Sequence, residues 1–554
     1  MSYPTLEQYN EALQHPQVAF SDPDLANGKV AVNGFGLPVA MCGGFALTYG
    51  ITSTGGRKYA VRCFHKKSNS LEIRYDAISR RIKSLNSKFF VNFDFQHSGI
   101  RIAGSKYPIV KMEWATGTTL GEFLERHHTE PDPLQALGNS LLELSTYLEA
   151  NRIAHGDIQP ENVMASDSGR RLQLIDYDGM YVDELSSSGA SELGQRNFQH
   201  PKRSNGDWGT YLDRFSFILL HVALKALKAQ PTLWEQTQSD GGAVIFRAHD
   251  LANPAGSRIF DSLIRKQEFG EDVRNLARIC DAPYESIPSL SDFIAGRNIP
   301  AEIIYRAGER NRTAVYIGAY PVLSAEDYPA CHNHIGDVVE LVGQIIAIKS
   351  AHTKYGKPYV FLNFGDWRGN IVKITIWAEG LDVLAQKPDD TWIGKWVSVV
   401  GMMDPPFVTN SYTHLSITIT KSNQIQTITH EQAKFRLGSG TEMSTLNPVL
   451  NRKIADEKSV KDGNPVTLTA SARHASIPNS SSAGGSQPST TSKNQKIIRD
   501  MLPGNTSAGN SPPISGPPKK STPGGNGCIV VVVIILILIF IGCIMEVIEF
   551  LSKL

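Results

Sequence analysis

Apolar positions along the chain change period several times, and each change marks an element. From Val30 to Val61 short apolar runs alternate with turns: Val39-Ala40-Met41-Cys42, then Gly43 and Gly44, then Tyr59-Ala60-Val61-Arg62-Cys63-Phe64. This predicts a hairpin with glycines at its tip, where backbone amides can approach a phosphate. Residues 68–86 predict a helix with Leu71, Tyr75, Ile78, Ile82 and Leu85 on one face. Strands are expected around Phe89 to Phe95 and Ile100 to Ile102, and Leu134 to Leu148 predicts a second helix through Leu137, Leu141 and Leu144. Tyr211 to Leu220 is apolar on nearly every face, as a helix buried on all sides would be. Val338 to Ser350, Pro358 to Trp367, Ile371 to Trp377, Lys395 to Met403 and His414 to Lys421 are rich in Val, Ile, Thr and aromatics. They predict five strands, with a helix over Glu379 to Gln386 between the third and fourth. Residues 1–29 are polar, carry Pro4, Pro16 and Pro23, show no motif, and are expected to form an amino-terminal leader whose order the pattern leaves open.

From about Arg436 the periodicity fades, and Ala470 to Asn526 is mostly Ser, Gly, Pro, Thr and Asn. That composition predicts a disordered linker over 431–527. Cys528 to Met545 is then an apolar run without a charge, continued by Val547 and Ile548. At 1.5 Å per residue it reaches roughly 27 Å, near the thickness of a bilayer's hydrocarbon. Residues 528–548 are therefore expected to be one transmembrane helix, with 549–554 a short tail. Lys519 and Lys520 precede the run while Glu546 and Glu549 close it, which places the amino-terminal part in the cytoplasm by the Lys/Arg bias. The start has neither a basic nor an apolar stretch, so no secretory signal peptide is expected.

Composition narrows the classes. A length of 554 residues implies two or three domains. The 55 Lys and Arg nearly cancel the 54 Asp and Glu, which argues against a protein that coats nucleic acid. Six scattered cysteines without a CxxC pair fit a reducing compartment. Cys331-His332-Asn333-His334 carries ligand-type side chains, but they crowd into one turn without a partner cluster and are expected to be a surface loop.

The chemistry concentrates in His155-Gly156-Asp157-Ile158-Gln159-Pro160-Glu161-Asn162 and, after a spacer, in Leu174-Ile175-Asp176-Tyr177-Asp178-Gly179. An Asp and an Asn on one tight loop, with a second Asp ending an apolar strand, supply the oxygens that Mg²⁺ prefers and a carboxylate near an attacking hydroxyl. The two motifs resemble the catalytic and metal-binding loops of the protein kinase superfamily, including aminoglycoside-kinase-like enzymes that share the His-Gly-Asp form. The resemblance implies ATP and Mg²⁺ as cofactors, Asp157 as the catalytic Asp, and Asn162 and Asp176 as metal ligands. It implies His155 and Asp213 as supports, the latter tying down the catalytic loop. Gly43 and Gly44 would cover the phosphates, and Arg62 stands at the place of the phosphate-pairing Lys. Tyr107 to Gly117 resembles the adenine hinge, with Met112 at the gatekeeper position and Glu113 and Ala115 meeting the base. Asn197 to Lys202 resembles the end of an activation segment. The departures are Arg62 for Lys, Gln159 where Ser/Thr kinases carry a Lys, no Glu near Ala77 to pair with the strand cation, and Gly156 where an Arg reads a phosphorylated activation segment. The last implies an enzyme not switched by phosphorylation of that segment.

The expected fold class is thus multidomain. An α+β two-lobed protein-kinase-like fold over 30–300 leads through a connector over 301–333 to an all-β OB-like barrel over 334–430, then the disordered linker and one transmembrane helix. Within the barrel, Lys349, Lys354, Lys357, Arg368 and Lys373 alternate with Tyr355, Tyr359, Phe361, Phe364 and Trp367. These are either a stacking platform for single-stranded nucleic acid or an aromatic core with a solvated rim. Two functions stay open: a membrane-anchored Ser/Thr-type phosphotransferase acting on a protein substrate, with the Ser/Thr-rich linker in reach, or a pseudokinase scaffold that binds nucleotide or nucleic acid without catalysis.

Overall fold

Three short helices stand where a leader was expected. In the computed structural model, which describes residues 3–33, 36–42, 46–65, 71–301, 315–409 and 412–438, they are α1 (Leu6–Ala12), α2 (Pro16–Ala19) and α3 (Pro23–Ala26). Thr5 and Gln8 close a capping box on α1, and Pro16 and Pro23 open the next two helices at positions where a missing N–H costs nothing. Tyr9, Leu13 and Leu25 are at most 1% exposed. They are buried against an antiparallel sheet that holds β1 (Lys29–Val30), β2 (Ala40–Cys42), β3 (Ala46–Thr52) and β4 (Lys58–Phe64). After α4 (Leu71–Leu85), the strands β5 (Phe93–Ile102) and β6 (Ser105–Glu113) complete it in the order β1-β3-β4-β6-β5, with β2 on β3. The helical spacing of Tyr75, Ile78 and Ile82 puts them in one core with Phe93 and Val110.

A helical region follows. Its elements are β7 (Thr118–Thr119), α5 (Leu120–His127), α6 (Pro131–Ala150), β8 (Val163–Ser166), β9 (Arg171–Leu174), α7 (Arg214–Ala229), α8 (Leu233–Gln236), α9 (Ala248–Ala252), α10 (Arg258–Ile264), α11 (Gly270–Asp281) and α12 (Leu290–Ile294). The strands β7, β8 and β9 form a small antiparallel sheet. Eleven of the sixteen residues of α7 are buried, as its all-round apolar pattern demands. Leu137, Leu141, Leu144 and Leu148 of α6 join the same core. The loop between α6 and β8 carries the His155 to Asn162 motif.

The remaining described elements are β10 (Val322–Ser324), α13 (Tyr328–Asn333), β11 (Val338–Gln344), β12 (Ala347–His352), β13 (Pro358–Asn363), β14 (Ile371–Ile376), α14 (Ala378–Val383), β15 (Trp396–Met402), β16 (Phe407–Val408), β17 (Thr413–Thr418), β18 (Ile425–Ile428) and α15 (His430–Gly438). They form two sheets, β10-β11-β15-β18 and β12-β13-β14-β17-β16, with parallel pairs at β10–β11 and β14–β17.

This architecture corrects the expected fold class. Among the described residues the chain is mixed α/β with four sheets, not a kinase-like pair of lobes followed by a self-standing all-β barrel. Met402 of β15 shares a core with Tyr9, Leu25 and Ile51, and Val338 packs against it, so the sheet that holds β11 and β15 packs on the amino-terminal core. All described residues belong to one compact unit. The expected first barrel strand is two strands: Ile345 N bonds Lys395 O while the next residue, Ile346 N, bonds Asn363 O, which sends β11 and β12 into different sheets. Cys331 is fully buried on α13 rather than on a surface loop, and His430 to Gly438 is helix where the linker was to begin. Among the described residues no helix is long and apolar enough to cross a membrane. The expected span over 528–548, its tail and the linker from 439 on lie outside the described residues.

Candidate functional site

The loop after α6 is pinned before it presents a side chain. Asp213, the residue preceding α7, accepts hydrogen bonds from His155 N (2.6 Å) and Gly156 N (2.8 Å), while His155 Nε2 meets Ile175 O at 2.9 Å. His155 is fully buried, so the loop is tied at once to α7 and to the segment leading into Asp176. Gly156 has φ +80°, and a Cβ there would run into the carbonyl of Gly179. No side chain fits at this position, which accounts physically for the missing Arg.

Asp157 is buried and saturated with donors. Its Oδ2 accepts from Gln159 Nε2 (2.5 Å) and Asn162 Nδ2 (2.8 Å), and its Oδ1 accepts from Gln195 N (2.8 Å). Gln159 therefore folds back to orient the carboxylate. Burial raises the pKa of Asp157 above the usual carboxylate range despite these donors. The neighbouring Gly194 has φ +74°, and a Cβ there would lie 2.6 Å from Asp157 Oδ1. The segment around Gly194 and Gln195 thus lies directly on the carboxylate.

Asp176 follows β9 in a left-handed conformation, φ +63°, and its side chain is 36% exposed. Arg62 of β4 reaches it with Nη1 at 2.8 Å and reaches Asp178 Oδ2 with Nη2 at 2.6 Å. Tyr75 of α4 donates its hydroxyl to the other oxygen of Asp178. The strand cation is thus paired with two carboxylates of the Asp176 loop, and α4 contributes Tyr75 where the resemblance calls for a Glu. Burial works against both charges of the Arg62–Asp176 pair, but each partner outweighs it: the arginine's pKa is raised and that of Asp176 lowered.

Asn162 Oδ1 and Asp176 Oδ2 accept no hydrogen bond from the described residues, whereas their other polar atoms are engaged. Two hard oxygens left without partners beside Asp157 fit a Mg²⁺ ion, which takes one or two protein carboxylates or amides and fills its remaining positions with water and phosphate. Among the described residues no group of three or more His, Cys, Asp or Glu side chains encloses a metal position, so an all-protein cage is not formed there.

Gly43 and Gly44 lie outside the described residues. Glu113 ends β6 opposite Tyr59, three positions along from the Arg62–Val110 pair, and its N–H donates to Asn92 O. Ala115 follows in the crossing to α5, half-buried against the main core.

Sequence reasoning missed Glu192, Gln195 and Tyr320. The carboxyl of Glu192 packs beside Gly179, and burial together with the fields of Asp157, Asp178 and Asp176 raises its pKa well above the usual range. Burial and the fields of Asp157, Glu161 and Glu192 raise the pKa of the Tyr320 phenol too. Nothing local marks these residues; only tertiary proximity does. The elements after residue 334 also reach this region: Lys421 pairs with Glu161 of the loop, and Gln426 of β18 donates to Asp240, between α8 and α9, at 2.6 Å.

The structure divides the expected nucleic-acid platform. Tyr359, Phe361 and Phe364 are buried, Phe364 within the core of the two sheets, while Tyr355 is 63% and Trp367 40% exposed. Lys354 lies over Tyr355 and Arg368 over Trp367. No protein-family model matches the chain.

Proposed function

We propose that the chain transfers the terminal phosphoryl group of MgATP to a protein Ser or Thr hydroxyl, with Asp157 as the proton acceptor. What supports this reading is one arrangement: Asn162 and Asp176 each offer an oxygen without another partner, close to an oriented, buried Asp157. When bound, MgATP would supply the phosphoryl group and neutralise the charge that develops on it. Gln159 and Asn162 hold the Asp157 carboxylate in one orientation, and its raised pKa suits a group that must take up a proton. Arg62 fixes Asp176 through one oxygen and leaves the other without a partner among the described residues. His155 and Asp213 keep the loop backbone in register with both.

Gln195 N occupies Asp157 Oδ1, so an acceptor hydroxyl reaches this oxygen only after the segment around Gly194 has shifted. The same contact favours the second reading, nucleotide binding without transfer. Incubating the full chain with Mg²⁺ and labelled ATP, and locating the label by mass spectrometry, separates the two. Label on Ser or Thr in the wild type and none with Asp157→Ala supports transfer. Bound ATP without label in either protein supports the second reading and overturns the first.

A further inference from the structure

A cavity of about 720 Å³ opens between the strands after residue 334 and the catalytic loop, with Phe361, Lys373, Trp377 and Asp404 on one side and Gln159 and Glu161 on the other. Its size lies within the range of small-molecule sites, roughly 300 to 1,000 Å³. Lys373 is the feature that asks for a ligand. It sits in the middle of β14, 9% exposed, with β13 and β17 on its two sides. Its ammonium makes no hydrogen bond and no ion pair with any described residue; its neighbours are the ring of Phe361 at 4.1 Å and that of Phe407 at 5.7 Å. Its three N–H donors have no acceptor among the described residues, and the ring faces satisfy them only in part.

The acid that faces Lys373 is already engaged. Asp404 accepts from Thr418 Oγ1 at 2.7 Å and from Ser416 Oγ at 3.2 Å, and lies beyond ion-pair range of the lysine. Lys349, on β12 opposite Phe361, adds a second positive charge to this face. Burial first, and Lys349 second, lower the pKa of Lys373 to about 8, so most of it stays charged at neutral pH. Beside the cation stand two rings nearly perpendicular to each other, Phe361 and Trp377, with centroids 5.8 Å apart.

We propose that this cavity binds a small molecule carrying one phosphate and one planar ring, of the size of a nucleoside monophosphate, with the Lys373 ammonium on the phosphate and Trp377 against the ring. Gln159 and Glu161 close the cavity on the far side, and the Lys421–Glu161 ion pair links its wall to the catalytic loop. A cavity of about 720 Å³ matches a mononucleotide in size rather than a continuous strand. The proposal does not depend on phosphoryl transfer, because its ligand lacks the terminal phosphates used there.

Isothermal titration of the full chain at neutral pH with AMP, GMP, CMP and UMP tests it, beside Lys373→Met, Trp377→Leu and Asp157→Ala. Saturable binding of at least one nucleotide is expected, weakened by about tenfold or more in Lys373→Met and Trp377→Leu and retained in Asp157→Ala. Methionine nearly matches the lysine in volume, so Lys373→Met should keep the wild-type melting temperature; if it does not fold, Trp377→Leu carries the test. Absence of saturable binding up to about 1 mM would overturn the proposal, as would unchanged affinity in the two cavity variants. Lys373-dependent binding of an oligothymidylate with no binding of the mononucleotides would also overturn it, and would make the face a nucleic-acid platform.

Discussion

Replacing Arg62 by Met removes the one side chain that bridges Asp176 and Asp178. The arginine is buried, its two contacts are 2.8 and 2.6 Å, and the side chain of Asp178 is only 11% exposed. Breaking a buried pair by deleting one partner costs about 3 to 5 kcal/mol, because the remaining charge stays buried. Asp176 is more than a third exposed, and water screens its half of the interaction. The expected loss is therefore near the lower end, about 3 kcal/mol at pH 7. The pH dependence carries a further signature. Arg62 lowers the folded-state pKa of Asp176, so this stability is present above the unfolded pKa and is lost as pH falls through the folded value. The variant has no such contribution, and the gap between the two proteins should narrow as pH falls below the ordinary Asp value of 3.8. Urea denaturation followed by tryptophan fluorescence reads both effects. A loss below about 1 kcal/mol, or a gap that stays constant with pH, would refute the reasoning. Arg62→Lys should recover part of the loss only, since one ammonium cannot span both carboxylates with the arginine's fork.

Other outcomes follow from the same geometry. Glu192→Gln should raise the melting temperature at pH 7 to 8: burial first, and the carboxylates of Asp157, Asp178 and Asp176, raise the folded-state pKa of Glu192, so wild-type stability falls as pH rises above the unfolded pKa. A less stable variant at pH 7.5 would contradict this. Gly156→Ala should cost at least about 1 to 2 kcal/mol from the left-handed backbone alone, and more from the collision with Gly179 O; wild-type stability and activity in that variant would remove the steric account of the His-Gly-Asp form. Asp213→Ala leaves two buried N–H groups without an acceptor and should cost about 2 to 6 kcal/mol, checked by denaturation and by loss of label transfer.

The long periodic elements were legible because packing follows their pattern. The Tyr75, Ile78 and Ile82 face of α4, the leucine face of α6 and the all-round apolar α7 each meet the core their spacing demands. The first three helices were not legible, since they are short and carry few apolar residues; their burial comes from capping and from contact with the first sheet. The break between β11 and β12 was hidden inside one apolar run, because consecutive residues Ile345 and Ile346 choose partners far away in sequence. In the site, the two loop motifs pointed to Asp157, Asn162 and Asp176, and the resemblance they carry pointed to Asp213. The partners of Arg62, the acid Glu192 and the covering contact from Gln195 depend on chain segments brought together only by folding.

The central claim is that Asn162 and Asp176 present their free oxygens to a Mg²⁺-bound nucleotide beside Asp157. Titrating ATP into the full chain with Mg²⁺ and with EDTA, for the wild type and for Asp176→Asn, tests it most directly. The account predicts binding that weakens about tenfold or more without Mg²⁺, and an Asp176→Asn protein whose affinity no longer responds to the metal. Equal ATP affinity with and without Mg²⁺ in the wild type, or a full metal response in Asp176→Asn, would contradict it.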